Sequence, residues 1–98
     1  MGFVQVIEYE TSHAPEVESL LDEWCARTAG ERTATHTVLA RDHQRPEHYV
    51  SIVEFPSYEE AMRNNTLPAT SEFAHRMEEL CDSPPRFVDL DVVRDVEL

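Results

Sequence analysis

Residues 48–62 read HYVSIVEFPSYEEAM, and how this stretch is packed decides the fold. Its first half is a β-strand that is apolar on both sides. Tyr49, Val53 and Phe55, with Ser51 among them, point one way, and Val50 and Ile52 the other, because strand side chains alternate. Pro56 stops the strand. Ser57 and Glu60 then form a capping box, in which the serine oxygen caps a helix start and the glutamate follows three residues on. The short helix that results runs to Asn64 and Asn65, where NNTLPATS breaks the pattern. A chain of 98 residues has room for one domain, residues 1–98, with one layer of helices over one sheet. Something else must cover the second face.

Working outward, FVQVIEYE at residues 3–10 is β-branched and aromatic and forms the first strand. Thr11 and Ser12 turn the chain, and Pro15 suits a first helical turn. Val17, Leu20, Leu21, Trp24 and Thr28 recur at helical spacing, and Gly30 closes that helix. Residues 32–42, RTATHTVLARD, form a second strand that is less apolar than the first. A polar turn around Pro46 leads into the opening stretch. A further helix is expected from Ser71 to Cys81, with Phe73, Met77, Leu80 and Cys81 on its apolar side. DSPP ends it, and residues 86–98 read as a last strand in which Val88, Leu90 and Val92 alternate with Asp89 and Asp91.

The order is βαββαβ, with the second helical part broken in two. This is an α+β, ferredoxin-like arrangement with a four-stranded antiparallel sheet. In it the first and third strands are central, and these are the two most apolar ones. Two helices cover one sheet face only. The other face holds several large apolar side chains, each worth ~1.5–3 kcal/mol when buried. Leaving them wet forfeits an amount comparable with the ~5–15 kcal/mol stability of a whole domain. Two copies packed sheet to sheet into an α/β barrel solve this, and a two-fold homodimer burying about 800 Å² or more per partner is expected.

The charge narrows the function. With 20 acidic and 8 basic residues the formal charge is −12, which repels phosphate backbones and anionic lipid heads, so neither nucleic acid nor a membrane surface is an expected partner. No apolar run approaches the ~20 residues of a membrane span. The N-terminal residues lack the pattern of a signal peptide, and a cytoplasmic protein is expected. Cys25 and Cys81 suit small apolar fillers in a reducing compartment, and neither they nor the histidines show zinc-site spacing. No metal site is expected.

The layout of FVQVIEYE, YVSIVEFPSYEEAM and SEFAHRMEEL before a final strand resembles the dimeric α/β-barrel superfamily, and within it the antibiotic-biosynthesis-monooxygenase type. The resemblance spans nearly the whole chain and rests on pattern, without a diagnostic catalytic motif. It implies a cofactor-independent monooxygenase acting on a small aromatic or polyketide-like substrate, in a pocket between the sheet and its own helices. Relatives of this type use an Asn and a Trp to hold a substrate carbonyl and stabilise an enolate. The alternative is a non-catalytic dimeric module that binds a small hydrophobic ligand or a protein partner.

Against that expectation, His36 in TATHTV is the candidate base and Asn65 the candidate enolate clamp. Trp24 is a candidate stacking wall. Tyr49, Ser51 and Asn64 are candidate lining residues. Each has a plainer role as well: core packing for Trp24, a solvated edge-strand imidazole for His36, helix termination for the asparagines. His75, which haem-degrading relatives would use as an iron ligand, lies on the helix side opposite Phe73, Met77 and Leu80 and is expected to face solvent.

Overall fold

The computed structural model describes residues 2–98. In chain order the elements are β1 (Phe3–Glu10), α1 (Ala14–Arg27), β2 (His36–Arg41), β3 (His48–Phe55), α2 (Tyr58–Asn64), α3 (Pro68–Leu80) and β4 (Arg86–Asp91). The strands form one sheet in the order β2-β3-β1-β4, every pairing antiparallel. The two most apolar strands are therefore central, and the Thr-, His- and Asp-bearing strands take the edges, where a water-facing backbone costs least.

Register fixes the faces. Phe3 pairs with Phe55, Ile7 with Ser51 and Tyr9 with Tyr49, and this side lies under the helices. The core forms there from Ile7, Tyr9, Val17, Leu20 and Met77, with a second cluster of Phe3, Phe55 and Ala61. Val6 pairs with Ile52 and Val88, Val4 with Leu90, and Val38 with Ile52 on the opposite side. No helix covers it: Val38, Ile52 and Leu90 are exposed at 45%, 37% and 44%. Ion pairs edge this open face, Arg86 with Glu8 at 3.3 Å and Arg45 with Glu10. No helix of the described residues is long and apolar enough to cross a membrane.

Three boundaries differ from the sequence reading. The strand expected over residues 32–42 begins at His36, because Thr33 is tied to α2 instead: its N–H donates to Asn64 Oδ1 at 3.2 Å and its hydroxyl to the Glu60 carbonyl. The late helix starts at Pro68 rather than Ser71. Proline at the first helical position loses no hydrogen bond, so a residue that looked like a breaker is the start. The last strand ends at Asp91 rather than continuing to the C-terminus. β1, its neighbour, begins at Phe3 opposite Asp91, and only one further bond, from the Val92 N–H to the Gly2 carbonyl, extends the ladder. The serine half of the capping box forms, Ser57 accepting from the Glu60 N–H at 3.2 Å, while the Glu60 carboxylate pairs with Arg63 at 3.2 Å.

Candidate functional site

Between the sheet and its helices lies a cavity of about 500 Å³. Its floor comes from β1 and β3, with Ile7, Ser51 and Val53. Its roof comes from Leu21 and Trp24 of α1 and Phe73 and Met77 of α3. Leu21 and Trp24 are three apart and Phe73 and Met77 four apart, the spacings that bring helical side chains to one face.

Trp24 of α1 is fixed by α3. Its Nε1–H donates to Thr70 Oγ1 at 2.9 Å, and its ring packs on Phe73 at a centroid distance of 6.2 Å. A pinned indole gives the cavity a flat, rigid wall. Beyond α1, Gly30 adopts φ 81°, a left-handed conformation that glycine takes without strain. The turn it permits carries Arg32 back over the indole, with Cζ 5.9 Å from the ring centroid.

Asn64 and Asn65 part company. Ala61 and Asn64, three residues apart on α2, face inward, and Asn64 is 4% exposed. Asn64 Oδ1 accepts the Thr33 N–H, which leaves the amide N–H₂ as the half available to the cavity. No protein acceptor lies within hydrogen-bond distance of it among the described residues. Asn65 is one residue, or ~100°, further round. It is exposed at the rim and reaches only Met62 Sδ, at 4.0 Å. The inward amide is thus that of Asn64, not of Asn65, which was expected to supply it.

His36 sits at the cavity edge, but its imidazole lies on the open side of the sheet. Its strand partner is Glu54, with Nε2 3.8 Å from Oε2 and the side chain 63% exposed. Strand alternation is the reason: Thr37 and Leu39 take the inward positions. A base on the inner surface cannot come from this imidazole. Ser51 lines the floor, whereas Tyr49 packs beside it as core, stacked on Tyr9 at 5.6 Å. His75 is exposed and lies 3.4 Å from Glu79. Among the described residues no group of three His, Cys, Asp or Glu side chains gathers as a metal site would require.

Tyr9, buried in the core, also lines the cavity. Burial, then the charges that Cys81, Tyr49 and Glu18 can carry, push its phenol up to about 12. It therefore stays protonated at neutral pH and does not act as a base. The folded state holds this proton more tightly than the unfolded chain, whose phenol titrates near its ordinary 10.0. The resulting stabilisation is complete below about pH 10 and is lost as the pH rises through about 12. The chain has no lysine to titrate in this window. Urea midpoints of the wild type should fall between pH 10 and 12, and Tyr9→Phe should flatten much of that fall. Parallel curves for the two proteins would refute the assignment. Burial likewise pushes the Cys81 thiol up, which keeps it a poor nucleophile.

Sequence reading did not find Arg32 or Thr70. Their roles depend on contacts with Trp24 made across a turn and across 46 residues, which no local periodicity reports.

The same fold occurs in solved structures. SnoaB, a cofactor-independent oxygenase from Streptomyces nogalater, matches in an asparagine-to-alanine variant with a TM-score of 0.81 at 18% identity, over 97% of this chain and 96% of that one. An antibiotic biosynthesis monooxygenase matches with a TM-score of 0.74 at 20% identity, over 96% of this chain and 100% of the other. A conserved protein from Methanosarcina mazei Go1 matches with a TM-score of 0.80 at 12% identity, over 92% and 91%. No family model and no curated protein sequence matches the chain. The chain shares with these structures a ferredoxin-like α+β fold with a four-stranded antiparallel sheet.

Proposed function

We propose that this chain, folded as those oxygenases are, binds a flat, oxidisable aromatic or polyketide-like molecule in the cavity and oxidises it without a cofactor. The observation that carries the reading is Asn64: a buried amide whose oxygen is occupied and whose N–H₂ is left for an apolar cavity. An N–H donor at a dry site favours a developing enolate oxygen over a neutral carbonyl. Trp24 supplies the stacking wall, and Ile7, Val53, Phe73 and Met77 exclude water. In this chemistry the substrate's own carbanion reduces dioxygen, so the protein has to position it, stabilise the enolate and keep it dry.

A second reading, a ligand-binding module without turnover, is favoured by one observation. No carboxylate lines the cavity and the one imidazole at its edge faces away, so no strong base meets the ligand. Catalysis is therefore restricted to substrates that ionise readily by themselves. Oxygen uptake separates the two readings. Purified protein free of metal and flavin, incubated with hydroxylated anthrones, should consume oxygen in proportion to product formed. Saturable binding with uptake no faster than in buffer would leave the binding module.

The protein works as a homodimer whose seam is the open sheet face, which has the apolar centre and charged edges of an interface. The free Cys25 and Cys81 fit the reducing cytoplasm, and the acidic surface disfavours nucleic-acid partners.

A further inference from the structure

The cavity has a charge pattern opposite to that of the protein around it. The chain carries 20 acidic residues, yet no aspartate or glutamate lines the cavity, and the one permanently charged lining residue is Arg32. Five of the eight arginines, Arg27, Arg45, Arg63, Arg76 and Arg86, lie within ion-pair distance of a carboxylate; Arg32 has no such partner among the described residues. It is nevertheless held in place. One nitrogen, Nη1, donates to the Cys25 carbonyl at 2.7 Å and lies 3.4 Å from Thr28 Oγ1, while the guanidinium rests over Trp24. Nη2 and Nε take no protein acceptor among the described residues. A guanidinium fixed by one corner, with its other edge free, is prepared for planar recognition of an oxyanion pair.

We propose that Arg32 determines substrate class by binding a carboxylate carried on a flat aromatic ring that stacks along Trp24. The inference rests on the cavity reading above and deepens it. A cavity with a cation and no base suits a molecule that arrives already anionic. The negative charge of the whole protein opposes the approach of such a ligand, but at physiological salt that field is screened beyond ~8 Å. Arg32, exposed at the cavity rim, acts on a bound ligand at contact distance, well inside that length.

Calorimetry and quenching of Trp24, the only tryptophan, test this with anthraquinone-2-carboxylate and its neutral partner 2-(hydroxymethyl)anthraquinone at 150 mM salt. The wild type should bind the carboxylate about tenfold or more tighter than the neutral molecule. Arg32→Gln should abolish that preference and leave the neutral ligand within about twofold. Arg32→Lys should fall between, since a lone ammonium keeps the charge and loses the fork. Equal binding of both probes by the wild type, or a preference that survives Arg32→Gln, overturns the assignment and leaves the cavity reading intact. Binding of neither probe overturns both. If Arg32→Gln does not fold, the ratio of the two affinities in the wild type and in Arg32→Lys decides.

Discussion

Asn64→Asp is expected to lower turnover about a hundredfold while leaving the fold in place. The aspartate presents an oxygen where Asn64 Oδ1 now accepts the Thr33 N–H, so the tie between α2 and the residues before β2 survives. What changes is the other half of the group, where an N–H donor becomes a second acceptor. Burial favours the neutral acid and the Thr33 N–H the ionised carboxylate, so the loss should grow with pH as the charge forms and repels an enolate oxygen. Loss of one donor to a developing oxyanion costs roughly 10²–10³ in rate in other enzymes. Oxygen uptake measures the loss; where turnover is absent, the affinity for the neutral anthraquinone replaces it, with a smaller decrease expected. Asn64→Leu makes the complementary break. It removes the acceptor as well, orphans the Thr33 N–H and should cost about 1–3 kcal/mol of stability. An aspartate variant that works as well as the wild type would show that the inward amide does not touch the reacting oxygen.

Ile52→Glu should convert a dimer into a monomer. Ile52 is at the centre of the open face, paired with Val6 on one side and Val38 on the other. On an isolated chain this substitution would be mild, within about 0.5 kcal/mol, because the position is wet. At a two-fold seam it buries two like charges beside one another, and each desolvated charge costs several kcal/mol. A loss of only ~4 kcal/mol weakens association about a thousandfold. Light scattering should give the mass of two chains for the wild type and one for the variant, with near-native circular dichroism. A wild type that scatters as one chain, or a variant that stays paired, places the seam elsewhere or removes it.

Much of the fold was readable from local pattern. FVQVIEYE and HYVSIVEF, with turn residues on both sides, identify the central strands, and the Ser57–Glu60 pair marks α2 to the residue. The two-sided apolar character of β3 already implied that one face needs a second cover. Where the reading slipped, the cause was a long-range bond overriding a local preference. Thr33 and Thr35 suit a strand, yet Thr33 is drawn to Asn64, and β2 starts three residues later.

The site was less legible for the same reason. Trp24, Ser51 and both asparagines line the cavity, but local pattern left core packing open for Trp24, a dimer seam for Ser51 and helix termination for the asparagines. The choice between Asn64 and Asn65 turned on one step of ~100°, which depends on where α2 begins and on the anchor that Thr33 provides. The outward turn of His36 followed from its register against Glu54. By itself the sequence determined which segments are strands and helices, their order and the apolar second face, because side-chain period and capping chemistry are local. Only the tertiary structure decided that Arg32 lies over Trp24, that Asn64 turns inward, and that the carboxylates stay out of the cavity. Those placements depend on turns and hydrogen bonds between residues distant in the chain, and a contact of that kind leaves no periodic trace in the residues that make it.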